Sequence, residues 1–391
     1  MKINGVNLGN WLVLEKWMNP TIFEGTEAED EYYLAHDLEK TAYKERMRIH
    51  RAEYITERDF MQMASWNINT VRIPIPYFIF GDREPFIGCI NELDNAFGWA
   101  EKYGIKILID LHTVPFSQNG LDNGGLSGVC KWSTMPDEVD FVLSVLERLA
   151  DRYGHRTGLF GIEVINEPMT TRVWELLNIQ ERYPARDAEM AAGSQPMSLE
   201  FLFDFYDRAY DVIKPKLADD KYIVYHDGFE ILEFEKFIAR RQYDNIILDT
   251  HQYLMVGEAF GIEQSVEGYR GYIEDTLLPK IKKAKANVPV VTGEWSLFNS
   301  LAAGGDTNGG QNVLQTGQTE VKELSKEKAK EIYQALSEIQ MNAWNQLDGH
   351  FYWNYKTLID TANEQGWYGW DCWDLGRAIS QDWFPTELLK K

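Results

Sequence analysis

Residues 161–170 read GIEVINEPMT. An apolar, β-branched run of the kind that fills a buried strand stops at Asn166, Glu167 and Pro168. An amide or a carboxylate buried without partners costs about 1–3 kcal/mol or more, so these residues belong where a strand leaves the core. A proline cannot donate to a central ladder, and Pro168 therefore ends the strand just after the acid. The stretch predicts a buried strand with polar groups at its mouth.

Seven further runs share this character, and together the eight are INGVNLG near 3–9, NTVRIPI at 69–75, IKILIDLH at 105–112, FGIEVINE at 160–167, YIVYHD at 222–227, IILDTHQY at 246–253, VPVVTGEW at 288–295 and HFYWNY at 350–355. Between them, apolar residues at i, i+3 and i+4 predict helices at about 56–66, 91–103, 137–153, 198–217, 230–240, 265–286 and 325–346. That alternation predicts a parallel sheet with crossover helices. Eight such units predict an α/β fold, a (β/α)8 TIM barrel forming a single domain over 1–391, with its active site at the C-terminal mouth of the strands. An open doubly wound sheet is the alternative, but no Gly-rich phosphate loop follows any run. Segments 17–55, 113–136 and 168–197 exceed ordinary loop lengths and read as long βα loops. Segment 299–320, rich in Gly, Asn, Gln and Thr, reads as a flexible loop or lid, or as an insert without function.

Composition narrows the partners. Lys plus Arg total 39 against 61 Asp plus Glu, and a net charge of −22 argues against nucleic acid and for a neutral or cationic ligand. No apolar run reaches the roughly 18 residues needed to cross a bilayer, so no membrane embedding is expected. Three cysteines, Cys89, Cys130 and Cys372, leave at least one unpaired and give no metal-ligand spacing. They fit a reducing compartment, and MKINGVNLGNWL lacks the sections of a secretory signal, so the expected location is the cytoplasm. The expected state is a monomer. Aromatic residues make up 13% of the chain, with 13 Trp, which suits a large core or a stacking surface for a flat ligand such as a sugar or a base.

At the C-terminal ends of the runs stand Arg72, His112, Asn166 with Glu167, His226 with Asp227, His251 with Tyr253, Glu294 with Trp295, and Trp353. Each alone could be a satisfied structural group, and Trp353 a core aromatic; together they would concentrate polarity at one mouth. Glu167 after the fourth run and Glu294 after the seventh would face each other across a barrel. Such a pair can cleave an acetal, one carboxylic acid protonating the leaving oxygen while the second carboxylate attacks the anomeric carbon or activates water. Arg72, permanently charged, is expected to depress the pKa of Glu294, and more apolar surroundings to raise that of Glu167. Asn166 can both donate to and accept from a sugar 2-hydroxyl.

GVNLGNWLVLEKWM, WNINTVRIPIPYFIF, IDLHTVPFSQNGLDNGG, GIEVINEP and VTGEW occur in an order that resembles glycoside hydrolase family five, in clan A, and within it the exo-β-1,3-glucanases and β-glucosidases, over roughly residues 3–357. The resemblance implies retention of configuration, Glu167 as acid/base and Glu294 as nucleophile. It implies Arg72 beside the nucleophile, His112 and Asn166 on sugar hydroxyls, His251 near the acid/base, Tyr253 hydrogen-bonded to the nucleophile and Trp353 as the sugar platform. Glu15, Asp122 and Asn123 match positions that hold a non-reducing terminal sugar, which implies an exo mode; their alternative is a solvated loop. No cofactor and no metal are implied, and the partner is a small oligosaccharide or glycoside. Leu121 and Val256 stand where the group usually has entrance aromatics, and Asn10, Thr113, Val114 and Phe116 replace smaller residues or Gly. Those departures favour short oligosaccharides or a β-glucoside over polymer. A metal-dependent barrel hydrolase using His112, His226, Asp227, His251 and Glu294, a catalytically inactive glycan-binding barrel, and transfer to a sugar acceptor instead of water are the competing readings.

Overall fold

The computed structural model describes residues 2–241, 243–303, 324–359 and 368–390. Its centre is a closed barrel of eight strands in sequential order, every neighbouring pair parallel. The strands are β1 (Ile3–Asn7), β2 (Thr70–Ile75), β3 (Lys106–Leu111), β4 (Leu159–Glu163), β5 (Tyr222–His226), β6 (Ile246–His251), β7 (Val290–Trp295) and β8 (Gly349–Tyr352). Helices α1 (Glu57–Ser65), α2 (Ile90–Tyr103), α3 (Pro136–Tyr153), α4 (Leu199–Ile213), α5 (Ile231–Ala239), α6 (Leu278–Lys285), α7 (Lys326–Trp344) and α8 (Leu375–Ser380) follow the strands in turn. The fold is the expected (β/α)8 barrel. Local sequence sets the helix ends: Thr56 and Asp59 form a capping box ahead of α1, Gly104 takes a left-handed turn after α2, and Ser198, Ser325 and Asp374 cap α4, α7 and α8.

Alternation along the strands sorts the side chains. In β3, Ile107, Ile109 and Leu111 pack outward in the core shared with the helices, while Leu108 belongs to a separate inner cluster with Ile3, Val224, Ile247, Val291 and Phe351. That inner cluster is the floor of the barrel. Two residues further along the same faces stand Asp110 after Leu108, His226 after Val224 and Asp249 after Ile247, all fully buried. The lumen thus passes from apolar floor to polar mouth within one strand length.

Several strands end sooner than the sequence runs. β4 stops at Glu163, with Val164 N and Asn166 N still donating to Val224 O and Leu111 O at 3.1 and 3.0 Å. Glu167 lies beyond the ladder with φ 39°, a left-handed conformation costing a non-glycine residue about 1–3 kcal/mol. The backbone turns away from the sheet to deliver this side chain to the mouth. The long loops carry helices of their own: Glu31–Asp37 and Lys40–Tyr54 in the first, and Thr171–Leu177, Ile179–Arg182 and Ala188–Ala191 in the loop after β4. Of the expected lid at 299–320, residues 304–320 lie outside the described residues, and Ser300–Ala303 form a short helix.

Candidate active site

Arg72, fully buried on β2, organises the lumen. Its Nε and Nη2 donate to Glu163 at 2.7 and 3.2 Å, Nη1 to Asn7 Oδ1 at 3.1 Å and Glu294 Oε1 at 2.9 Å, and Nη2 to Asn166 Oδ1 at 2.8 Å. Asp110 lies 3.1 Å from Nη2. A guanidinium's fixed fork suits this many acceptors, and each carboxylate it touches would otherwise be a buried, uncompensated charge.

Above it, His112 Nδ1 meets Asp110 Oδ2 at 2.6 Å, and Asn166 Nδ2 approaches His112 Nε2 at 3.4 Å. Gln118 Nε2 donates to the carbonyls of both His112 and Asn166 at 2.8 Å, tying the loop after β3 to that after β4. Trp353 lies nearly parallel to the His112 ring, 13° between planes and 5.8 Å between centroids.

Glu167 and Glu294 are 6% and 4% exposed, so both are dry yet open to the cleft. His251 stands between them, its Nδ1 2.8 Å from Glu167 Oε1 and 3.4 Å from Glu294 Oε2. Two oxygens so placed around one nitrogen are at most about 6 Å apart, so both carboxyls can reach a single glycosidic bond. Asn123 Nδ2 donates to Glu167 Oε2 and Tyr253 Oη to Glu294 Oε2, each at 2.7 Å.

An irregularity in β7 aims Glu294. Strict alternation from the inward Val291 would point Trp295 into the lumen, but the register shifts between Thr292 and Trp295. Glu294 faces Arg72, and Trp295 packs outward against Tyr352 and Phe384. Such irregularities re-aim side chains beside active sites. Gly293 takes part, because a Cβ there would sit 1.9 Å from the Asp249 carboxylate, whose Oδ1 accepts from Gly293 N at 2.6 Å.

The ionisation pattern reverses the expectation from sequence. Burial pushes the Glu167 carboxyl up, but the hydrogen bond and charge of His251 and the Asn123 amide outweigh it and hold it below the ordinary value. Glu294 is raised: burial and the Glu167 charge prevail over His251 and Arg72. Arg72 does lower Glu294, but by less than His251 does and not enough to offset burial. Burial pulls His251 down, yet Glu294, Asp249 and Glu167 together hold it well above the usual histidine value.

Glu15, buried, accepts from Trp17 Nε1 at 2.8 Å, and its pKa is pushed well up by burial and then by Asp122. Asp122, half-buried at the start of a 3-10 turn (Asp122–Gly124), is raised by burial and by the charge of Glu167. Trp17 stacks on Trp370 and meets Trp373 edge-on, walling this end with indoles.

The structure therefore brings together Glu15, Arg72, His112, Asp122, Asn123, Asn166, Glu167, His251, Tyr253, Glu294 and Trp353. Trp295 is excluded. Asp227 serves its own turn, accepting from Phe229 N at 2.8 Å. Among the described residues, the donor sets Glu167–His226–His251 and Glu163–Asp249–His251 lie within 4.8 Å, a grouping unlike the one anticipated for a metal. In the second set, Glu163 and Asp249 already face the Arg72 guanidinium, which supplies the positive charge there.

Asn7, Trp17, Asp110, Gln118, Glu163 and Asp249 escaped the sequence reading. A signal for two was present, since Asp110 and Asp249 stand two residues before His112 and His251 and alternation puts each pair on one face.

A parallel eightfold barrel with two buried carboxylates sharing one imidazole at its mouth defines a glycosidase of the barrel class. Residues 39–328 match the family model described as cellulase, glycosyl hydrolase family 5. The chain belongs to glycosyl hydrolase family 5. It is similar to the probable glucan 1,3-beta-glucosidase A of Aspergillus terreus, 32% identical over 99% of this chain and 88% of that one. It is also similar to glucan 1,3-beta-glucosidase 2 of Wickerhamomyces anomalus, at 28% over 100% and 89%. Among solved structures, rutinosidase from Aspergillus niger shares the fold with a TM-score of 0.71 at 20% identity, covering 98% of each chain.

These relatives overturn the cytoplasmic location expected from sequence, since fungal and yeast glucan 1,3-beta-glucosidases are enzymes of the secreted or cell-wall type. The cysteines did not bear on the question. All three are buried, and burial pushes the thiols of Cys89 and Cys130 up to about 12, so they stay protonated and inert in either compartment. Among the described residues no helix is long and apolar enough to cross a membrane.

Proposed function

We propose that this glycosidase is a retaining exo-acting β-glucosidase that removes glucose from the non-reducing end of β-1,3-linked or related gluco-oligosaccharides and β-glucosides. The observation that carries the reading is the approach of Glu167 and Glu294 to one His251 nitrogen.

In this reading Glu294 attacks the anomeric carbon while Glu167 gives its proton to the departing oxygen, leaving a glucosyl ester on Glu294. Glu167 then takes a proton from water, which attacks the same carbon and releases Glu294. Glu167 must be protonated for the first step. The proton comes from His251 Nδ1 across 2.8 Å. Arg72 and Tyr253 hold both oxygens of Glu294, orienting the nucleophile. Asn166 and His112 face the 2-hydroxyl and its neighbour, and Trp353 underlies the ring. Glu15 and Asp122, with the indoles behind them, close the cleft beyond the terminal sugar, which supports cleavage one residue from the end.

We further propose that the whole chain acts as one catalytic unit and as a monomer. The test is 1H NMR of laminaribiose hydrolysis: β-glucose should appear first and mutarotate afterwards. First formation of the α-anomer would refute retention.

A further inference from the structure

The loop after β4 reaches across the mouth and is pinned there on both sides of Tyr183. Upstream, a Cβ on Gly120 would meet Trp174 at 3.2 Å and Ile179 at 3.3 Å; downstream, one on Gly128 would strike Ala185 N at 2.4 Å. Both glycines have φ near +75° and bracket the 121–123 stretch, and Gly128 N donates to Gly120 O at 3.0 Å. Arg186 clamps the same arm to Asp37 through two hydrogen bonds of 2.7 and 2.9 Å. Tyr183 is thereby held opposite Leu121, Asp122 and Asn123.

Its ring packs with Leu121 and Phe229 on the cluster of Cys130, Met169, Val173, Trp174 and Ile179. It is half-buried, and among the described residues its hydroxyl has no hydrogen-bond partner. The charges that reach it are those of Asp122, Glu167, Arg182 and Glu15, which puts it on the acid/base side of the cleft. The neighbouring Arg182 has a buried Nη1 that is also unpartnered. Leu121 gives a flat ligand no aromatic face to stack on, and half-buried Tyr183, packed on the same cluster, brings an aromatic ring with a hydroxyl that has no hydrogen-bond partner among the described residues.

We propose that Tyr183 is a specificity-determining residue that holds the leaving-group sugar, its ring against the sugar's face and its hydroxyl on a sugar hydroxyl. The inference rests on the functional reading above, in which Glu167 protonates the leaving oxygen. A chain that recognises its leaving group through this arm is selective for a glycosyl leaving group over one with no ring at all.

The test compares laminaribiose with β-glucosyl fluoride, whose leaving group needs neither a proton nor an aglycone site. Tyr183→Ala should lower kcat/KM on laminaribiose about tenfold and leave the fluoride within twofold, with the loss mainly in KM. Tyr183→Phe should retain most of the laminaribiose activity. If the alanine variant does not accumulate folded, Tyr183→Leu serves the same comparison. Equal losses on both substrates, or no loss on laminaribiose, overturn the proposal. Wild-type protein that turns over neither substrate sinks the functional reading itself, an outcome distinct from failure of the Tyr183 assignment.

Discussion

The Arg72 guanidinium donates to Glu294 Oε1 across 2.9 Å with both side chains buried, and the Glu294 pKa is nevertheless raised. The cation lowers the carboxyl, but the desolvation of a fully buried group outweighs it. Arg72 also faces Asp110, Glu163 and Asp249, so one guanidinium both orients Glu294 and holds three further buried acids. Arg72→Met would strand these acids in a dry lumen, and a destabilisation of about 3–5 kcal/mol is expected. Urea unfolding measures it; a loss below about 1 kcal/mol would show that the cluster neutralises itself by protonation.

His251 makes the ionisation of Glu294 testable by pH. In His251→Asn, Glu294 keeps burial and the Glu167 charge as raising influences and loses the largest opposing one. The acid limb of kcat/KM should move to higher pH, and an unchanged limb would contradict this. The stability sign follows from linkage: the folded His251 pKa lies above its unfolded value of about 6.5, so its contribution is full below that pH and is lost as pH rises through the folded value. The stability gap between wild type and variant should therefore be larger at pH 6 than at alkaline pH.

Gly293 is required by the Asp249 carboxylate. Gly293→Ala places a methyl carbon 1.9 Å from Asp249 Oδ2, on a carboxylate whose other oxygen accepts from the Gly293 amide. Overpacking of this kind costs about 1–3 kcal/mol or more, and Glu294 is the next residue. The variant should melt earlier and lose most of its turnover; wild-type kinetics would contradict the tight approach.

Glu15 tests the closed end of the cleft. Its carboxyl is raised by burial and by Asp122, a strain that sugar hydroxyls donating to the pair would relieve. Glu15→Gln should reduce kcat/KM roughly 10- to 100-fold, by the same factor for laminaribiose and an aryl β-glucoside, since the glucose released is the same. A factor that varies with the leaving group would place Glu15 on the other side of the scissile bond.

Much of this was legible in the amino-acid order. Eight β-rich runs with helical spacers lead to the barrel, because alternation and i, i+3, i+4 patterning are local properties. The strand-end residues lead to the mouth for the same reason. What was not legible depends on neighbours distant in sequence. Trp295 turns outward because β7 shifts register against β8, which no single strand reveals. The pKa order of Glu167 and Glu294 depends on a histidine from β6 lying between a residue just past β4 and one on β7. Tyr183 lies in a loop whose position is set by glycines more than fifty residues earlier.

The central claim is a covalent glucosyl ester on Glu294, formed as Glu167 serves the departing group. Incubation with 2-deoxy-2-fluoro-β-glucosyl fluoride, which slows release of the ester, followed by peptide mass spectrometry, tests it most directly. The account predicts time-dependent inactivation and a fluoroglucosyl adduct on the peptide carrying Glu294. An adduct on another residue, or turnover of β-glucosides with no adduct on any, would contradict it.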